Sequence, residues 1–182
     1  YNKGNYPKCL VLSGGPQSVF EDEYDYSFIF NQKQIPLLGV CYGMQLMGKY
    51  FGGKVEKGVI GEYGHADINF VNGFTIPGIP NTQSVWMSHS DHVSILPKDF
   101  TLIIESSNKL VAGIKHNSLP VMGLQFHPEV EHSLYGKRML EFFYKDIAKS
   151  SFDFLLSKTF AESSIKIISN KGWLHKGKET VP

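Results

Sequence analysis

The strongest constraint on the fold is a short apolar run, residues 36–40, that ends on a Gly-x-Cys-x-Gly turn centred on Cys41 and leads into a helix-like stretch. Such a run predicts a buried strand that delivers one residue to a sharp turn, because glycines on either side let neighbouring backbone come close. The turn places Cys41 at a helix N-terminus, where unpaired N–H groups and the helix dipole favour a thiolate. A buried structural cysteine fits this local pattern equally well. The choice between the two depends on the rest of the chain.

The bulk composition indicates one globular domain without a broad electrostatic partner. A chain of 182 residues, 42% hydrophobic and 19% charged, is long enough to close a single core. Its formal net charge of +1 predicts no general attraction to nucleic acid or to an anionic membrane. No apolar segment approaches the roughly 18 to 20 residues of a membrane span, and two cysteines, Cys9 and Cys41, provide no disulfide framework. These features favour a cytoplasmic protein.

The first third of the chain alternates between strand and helix signals. An apolar run at 9–12 predicts a strand that ends at the turn Ser13-Gly14-Gly15-Pro16. Residues 21–32 carry aromatic and apolar side chains at helical spacing, which predicts a helix, and a second strand is predicted over 35–40. A helix over 44–51 follows. The alternation predicts an α/β protein with an open, mostly parallel (mixed) central sheet and flanking helices, which carries its site at the carboxyl ends of the strands.

Beyond residue 54 the pattern changes to short alternating segments that predict an antiparallel or mixed extension of the sheet. These strands are predicted at 55–60, 65–70, 84–88, 102–106, 110–115 and 121–126. An amphipathic helix over 133–149 is expected to pack on the sheet. The polar, lysine-rich remainder, 150–182, carries a weak helical patch at 154–168 and is predicted to be a linker or tail.

A histidine and a glutamate follow the last predicted strand, in the segment Gln125-Phe126-His127-Pro128-Glu129. The intervening proline sets a short turn that can bring the Glu129 carboxylate against the His127 imidazole. A cysteine nucleophile needs a base that takes its proton, and that base needs an acceptor that fixes its tautomer. Cys41, His127 and Glu129 supply these three parts, although His127 and Glu129 taken singly also fit an ordinary strand-end histidine and a solvated loop carboxylate.

Two further segments offer an oxyanion site and a metal site. The Gly15 N–H can join that of Tyr42 as an oxyanion hole, since adjacent parallel strands end at the same sheet edge. The rival interpretation, a phosphate-binding loop, lacks its Lys-Ser/Thr ending. His89, Asp91 and His92 lie close enough in sequence to suggest metal ligands, but no Cys-x-x-Cys or His-Glu-x-x-His motif accompanies them. The sequence therefore favours an oxyanion hole and no metal site.

The elbow Gly39-Val40-Cys41-Tyr42-Gly43-Met44-Gln45, taken together with the His-Pro-Glu segment, resembles the class I (triad) glutamine amidotransferases. Within that family the chain is most similar to the glutaminase domains of GMP synthetases. The segments that carry this closer similarity are Ser13-Gly14-Gly15-Pro16-x-Ser18-Val19, Glu62-Tyr63-Gly64-x-Ala66 and Val85-Trp86-Met87-Ser88-His89-x-Asp91. The resemblance covers residues 8–148 and implies a flavodoxin-like fold.

The resemblance also implies a chemistry. Cys41 would attack the side-chain amide of L-glutamine to give a thioester and ammonia, with His127 as general base and then acid and Glu129 as its orienting partner. Gly15 and Tyr42 would be the oxyanion donors. The residues expected to hold glutamine are Gln45, Ser88, His89, Ser90 and Asp91. The ammonia would pass to an ATP-pyrophosphatase (synthetase) domain or subunit that converts XMP to GMP; ATP and Mg²⁺ are expected there, and no cofactor in this chain.

Some features depart from the family pattern. The usual first strand, helix and second strand are missing ahead of the 9–12 run, so 1–149 is expected to be an N-terminally truncated amidotransferase domain and 150–182 a linker toward an absent synthetase domain. Ser90 stands where the family usually has glycine.

Two alternative functions stay open. One is an amidotransferase domain that serves another acceptor, of the CTP synthase, carbamoyl phosphate or imidazole-glycerol phosphate type. The other is a catalytically silent remnant that binds a partner.

Overall fold

The computed structural model describes residues 7–15, 18–21 and 23–149, together with two short strands at 166–169 and 172–173. Its elements, in chain order, are β1 (Leu10–Leu12), α1 (Ser27–Phe30), β2 (Leu37–Val40), α2 (Tyr42–Tyr50), β3 (Lys54–Phe70), β4 (Thr82–Ile95), β5 (Phe100–Ser106), β6 (Val111–His116), β7 (Val121–Leu124), α3 (Gly136–Phe142), a π-helical turn (Phe143–Ile147), β8 (Lys166–Ser169) and β9 (Gly172–Trp173). Within these ranges, every helix falls short of the length and apolar character that crossing a membrane requires.

The strands form one mixed sheet in the order β4-β3-β5-β6-β7-β2-β1-β8-β9. The central pairs β7–β2, β2–β1 and β1–β8 are parallel. The wing from β7 through β6, β5 and β3 to β4 is antiparallel throughout. This arrangement confirms the predicted α/β fold with a mixed sheet. It also places the carboxyl ends of β1, β2 and β7 side by side at one edge.

Apolar side chains cover both faces of the sheet. On one face, Leu38 and Val40 of β2 join Phe126, Met139 and Phe143 in a cluster beneath α3 and the π-helical turn. On the other face, Leu37 belongs to a second cluster, which packs against α1 and α2. Successive strand residues point to opposite faces, so β2 is apolar along its whole length because it is buried on both sides. Full burial of each such side chain stabilises the fold by about 1.5–3 kcal/mol.

The helix predicted over 21–32 is observed only as the four residues Ser27–Phe30. The Asp25 carboxylate accepts hydrogen bonds from the Ser27 N–H at 2.8 Å and from the Ser27 hydroxyl at 2.9 Å. A short polar side chain that bonds to nearby backbone in this way competes with helical pairing. The helical spacing of aromatic residues was therefore misleading before residue 27.

Other boundaries also differ from the predictions. The segments predicted at 55–60 and 65–70 are parts of the single strand β3, which pairs with β4 through a register shift between Lys57 and Glu62. The helix predicted from residue 133 begins at Gly136, because Ser133 takes part in turns with Val130 and Gly136. Of the helical patch predicted at 154–168, residues 154–165 lie outside the described residues, and 166–168 belong to a strand.

Candidate active site

Cys41 lies on the turn between β2 and α2 with φ 51° and ψ −109°, in a region that residues other than glycine rarely adopt. Such a conformation costs about 1–3 kcal/mol and persists only when its surroundings hold it. Here the Cys41 N–H donates to the Leu124 carbonyl of β7 at 2.7 Å. At Gly43 a Cβ would overlap the Leu12 carbonyl of β1, so this position of the elbow needs glycine for close approach. The local pattern and the packing together produce the predicted elbow.

His127 lies beside Cys41, three residues past the end of β7. Its Nδ1 is 2.7 Å from Glu129 Oε1, and the Cys41 side chain is near enough to be the largest influence on its pKa. Gly14 makes this approach possible, since a Cβ there would lie 2.8 Å from His127 Cε1 and 3.5 Å from Cys41 Cβ. The structure therefore brings Cys41, His127 and Glu129 together in the predicted order, with Nδ1 toward the carboxylate and Nε2 left for the sulfur.

Electrostatics in this group favour a proton on His127. The hydrogen bond to the Cys41 side chain, followed by the bond to Glu129, raises the pKa of His127 to about 10 although burial opposes the charge. At neutral pH the imidazole therefore holds the proton. A protonated imidazole beside the sulfur is placed to act as a general acid.

A cavity of about 280 Å³ opens in front of Cys41. Its wall contains every residue predicted for the oxyanion hole and for glutamine binding, with Ser18 and Tyr63 in addition. The described residues that line it are Gly15, Ser18, Cys41, Tyr42, Gln45, Tyr63, Ser88, His89, Ser90 and Asp91. Gly15 and Tyr42 follow the ends of the adjacent strands β1 and β2, as expected for donors that share one sheet edge.

Gln45 is buried and already bonded to protein. Its Nε2 donates to the Asp91 carbonyl at 2.7 Å and lies 3.4 Å from Gln125 Oε1. Because a carbonyl oxygen only accepts, the Asp91 contact fixes the orientation of the amide. The polar atom of Gln45 that remains for a ligand is therefore the acceptor Oε1.

The segment from Ser88 to Asp91 lines the cavity as part of β4. The Ser88 carbonyl oxygen is 3.7 Å from Cys41 Sγ. The Asp91 carboxylate accepts a hydrogen bond from Ser18 Oγ at 2.5 Å and lies 3.5 Å from Ser90 Oγ. Ser90 is in continuous strand and does not have positive φ, so a serine in place of the family's glycine causes no backbone strain.

His89 is buried, and protein atoms face both of its ring nitrogens. Nδ1 is 3.0 Å from the Asp91 carbonyl oxygen, and Nε2 is 3.1 Å from Glu62 Oε2. Neither nitrogen is free to bind a ligand. In the part of the chain that the structure describes, no cluster of three or more His, Cys, Asp or Glu side chains could hold a metal ion.

The sequence reasoning missed Ser133, which supports the catalytic loop. Its hydroxyl donates to the His127 carbonyl at 2.6 Å and accepts from the Trp86 N–H at 3.1 Å, while the His127 N–H donates to the Trp86 carbonyl at 3.0 Å. Both backbone groups of His127 are thus tied to β4, one directly and one through Ser133. The sequence gives no signal for this role, because Trp86, one of the partners of the Ser133 hydroxyl, lies 47 residues away in the chain.

Comparison with protein families matches residues 2–147 to the family model described as glutamine amidotransferase class-I. The chain is 45% identical over 168 residues to the glutamine-hydrolysing GMP synthase of Mesoplasma florum, and 40% identical over 164 residues to that of Thermosipho melanesiensis. These alignments cover 90% and 89% of this chain but 32% of each relative. The chain thus spans about a third of the length of the curated relatives it matches.

Solved structures agree with the family match. A Thermoplasma acidophilum protein described as a GMP synthase subunit superposes with a TM-score of 0.69 at 33% identity, covering 79% of this chain and 77% of that one. A glutamine amidotransferase from Thermotoga maritima superposes with a TM-score of 0.54 at 28% identity, covering 79% and 66%. The chain therefore belongs to the class I glutamine amidotransferase family.

Proposed function

We propose that this chain hydrolyses L-glutamine to glutamate and ammonia through a γ-glutamyl thioester on Cys41. The observation that carries the proposal is the contact of Cys41, on a strained elbow, with His127, which in turn is held by Glu129 at 2.7 Å. A nucleophile, a base and an orienting acceptor in contact are the parts that acyl transfer requires. The cavity in front of the sulfur and the family membership support the same reaction.

In the first half of the reaction, Cys41 Sγ attacks the side-chain amide carbon of glutamine. The N–H groups of Gly15 and Tyr42 would face the oxyanion of the tetrahedral intermediate, and one such donor contributes about 10²–10³ to the rate. Protonated His127 then gives its Nε2 proton to the amide nitrogen. The C–N bond breaks, ammonia leaves, and the γ-glutamyl group remains on sulfur.

In the second half, His127 is neutral and acts as a base. Its Nε2 takes a proton from a water molecule, and the resulting hydroxide attacks the thioester carbonyl. The C–S bond breaks, glutamate leaves, and the thiolate–imidazolium pair is restored. Glu129 keeps Nδ1 protonated in both halves, so that Nε2 is the nitrogen that exchanges protons with the reacting groups.

The polar groups of the cavity suit the amino-acid end of glutamine. The Asp91 carboxylate carries negative charge on the wall, and the Ser88 carbonyl and Gln45 Oε1 are further acceptors. An α-ammonium group would find a charged partner and hydrogen-bond acceptors there. A substrate held in this way extends its side-chain amide toward Cys41.

We further propose that the ammonia is used by an ATP-pyrophosphatase domain or subunit that converts XMP to GMP, because the Mesoplasma and Thermosipho relatives are GMP synthases. ATP and Mg²⁺ would bind that domain and not this chain. A cytoplasmic location fits the two free, buried cysteines.

Glutamate release from glutamine tests the proposal. We expect the wild-type chain to release glutamate and the Cys41→Ala variant to release none. A glutamine-analogue chloroketone should alkylate Cys41, as located by peptide mass spectrometry. Cys9 is a control within the same chain, since burial raises the pKa of its thiol to about 11 and leaves it protonated. A wild-type chain that neither releases glutamate nor is labelled at Cys41 would contradict the proposal.

A further inference from the structure

A second histidine–carboxylate pair lies at the cavity wall, to which its histidine belongs. Glu62 on β3 and His89 on β4 are directly opposite in the antiparallel register, and His89 Nε2 is 3.1 Å from Glu62 Oε2. Their side chains are only 5% and 2% exposed. Buried charged groups are stable only where their partners satisfy them, so the remaining contacts of the pair indicate how it is held.

The partners of the pair determine where its protons are. Glu62 Oε1 accepts hydrogen bonds from Ser106 Oγ at 2.8 Å and from Asn108 Nδ2 at 2.9 Å. Burial raises the pKa of Glu62, but the hydrogen bonds from His89, Ser106 and Asn108 outweigh it and hold that pKa below its ordinary value. His89 Nδ1 faces the Asp91 carbonyl oxygen at 3.0 Å. Since a carboxylate and a carbonyl only accept, both ring nitrogens of His89 face acceptor atoms.

The Asp91 carbonyl oxygen connects this pair to Gln45, another residue of the cavity wall. It accepts from His89 Nδ1 and also from Gln45 Nε2 at 2.7 Å. Two donors on one carbonyl fix the orientation of that peptide group. The Asp91 carboxylate on the same residue lines the cavity and accepts from Ser18. The direction of the carboxylate therefore depends on a backbone position that His89 helps to hold.

We propose that Glu62 and His89 are positioning residues for glutamine: Glu62 fixes the His89 ring, and the ring holds the Asp91 backbone so that its carboxylate faces the α-ammonium group of the substrate. This inference rests on the proposed function. The hydrogen bonds of the pair lead to Asp91, whereas the bond-breaking steps belong to Cys41 and His127. The pair thus acts on the affinity for glutamine and leaves the thioester chemistry unchanged.

Glutamine binding tests the inference without turnover. In the Cys41→Ala background, calorimetry should show that Glu62→Gln weakens the affinity for glutamine about tenfold or more, because the charge-assisted bond that holds His89 is lost. Glu105→Gln is the matched control, since Glu105 pairs with Lys109 on the surface of β5. Equal dissociation constants for the parent and Glu62→Gln contradict the inference, as does an absence of glutamine binding to Cys41→Ala.

Steady-state kinetics provide the second measurement. Glu62→Gln should raise KM about tenfold with kcat within about twofold of wild type, the signature of lost binding that is equal in ground and transition states. Asn108→Ala removes one hydrogen-bond donor to Glu62 and leaves the Glu62–His89 pair intact, so it should raise KM by a smaller factor. This second variant keeps the inference testable if Glu62→Gln does not fold. A fall in kcat at unchanged KM contradicts the inference. A wild-type chain that binds glutamine and does not hydrolyse it contradicts the proposed function alone.

The side-chain ¹⁵N resonances of His89 provide a readout that a purely structural role would not change. We expect Nδ1 to carry the proton that is donated to the Asp91 carbonyl in the wild type, and the Nδ1 resonance to move in Glu62→Gln because the ring is no longer held. His89→Asn identifies the resonances. A wild-type Nδ1 without a proton would overturn the inference.

Discussion

Among the described residues, two histidine–glutamate pairs lie near Cys41 and Asp91, and they differ in the atom that the second ring nitrogen faces. His127 and Glu129 are two positions apart in the chain, and their side chains are 19% and 43% exposed. The side of the His127 ring away from Glu129 faces the Cys41 sulfur. In His89–Glu62 the pair joins two strands, is almost fully buried, and the other nitrogen faces a backbone carbonyl. A thiol can exchange a proton with imidazole, whereas a carbonyl can only accept a hydrogen bond. The His127–Glu129 pair is therefore suited to proton transfer, whereas the His89–Glu62 pair is suited to holding the backbone in position.

The largest effect is expected from removing the imidazole that faces sulfur. His127→Asn should lower kcat for glutamine hydrolysis about 10⁴-fold, since the proton of the leaving amine has no donor and the thiolate loses its partner. The exposed histidine on β3 offers a control, His65→Asn, which should keep wild-type kcat. Glutamate release under saturating glutamine measures both. An active His127→Asn variant would remove the distinction between the two pairs.

Neutralising the carboxylate of the exposed pair should have the next largest effect. Glu129→Gln should lower kcat about 100-fold and bring the pKa of His127 down from about 10, because one of the two hydrogen bonds that raise it loses its charge. The pKa is followed by NMR titration of the His127 ring. Glu131→Gln, two residues away and exposed, is the control and should leave both quantities unchanged. An unchanged His127 pKa in Glu129→Gln would show that Cys41 alone sets it.

The backbone support of His127 should contribute less than either side chain. Ser133→Ala leaves the Trp86 N–H and the His127 carbonyl without a partner, and we expect a loss of about 1–3 kcal/mol in the free energy of unfolding and a fall in kcat of about tenfold. Ser133→Thr keeps the hydroxyl and should restore most of the activity. Ser94→Ala, on the exposed side of β4, serves as the control for loss of a serine hydroxyl. Equal kcat for Ser133→Ala and wild type would exclude a role in positioning the base.

The last effect concerns stability alone and should appear in its pH dependence. The folded-state pKa of His127 lies near 10, above the ordinary value of 6.5, so folding favours its protonated form. The resulting stabilisation is complete below pH 6.5 and disappears as the pH rises through 10. Urea unfolding of the wild type should show this decline, and His127→Asn should lack it. A wild-type stability that rises between pH 6.5 and 10 relative to His127→Asn would contradict the direction of the shift.

Local patterns predicted the exposed pair and the elbow. His127 and Glu129 are two residues apart around a proline, so their contact needs only a short turn, and the glycines around Cys41 indicate close packing wherever the strand ends. The boundary at residue 27 was not predictable in the same way, because the Asp25 side chain replaces helical backbone pairing there, and the start of the last helix at Gly136 depends on backbone turns at Ser133. The spacing of apolar residues in the sequence gives no sign of such competing hydrogen bonds.

The sequence by itself determined the α/β alternation, the turn that presents Cys41, and the nearness of His127 to Glu129, all of which depend on residues close together in the chain. Only the tertiary structure decided that His89 faces Glu62, 27 residues away, and that Ser133 ties His127 to Trp86. The physical reason is the register of β3 against β4, which shifts between Lys57 and Glu62. A shift of one residue turns side chains to the opposite face of a sheet, and the packing of distant segments sets that register.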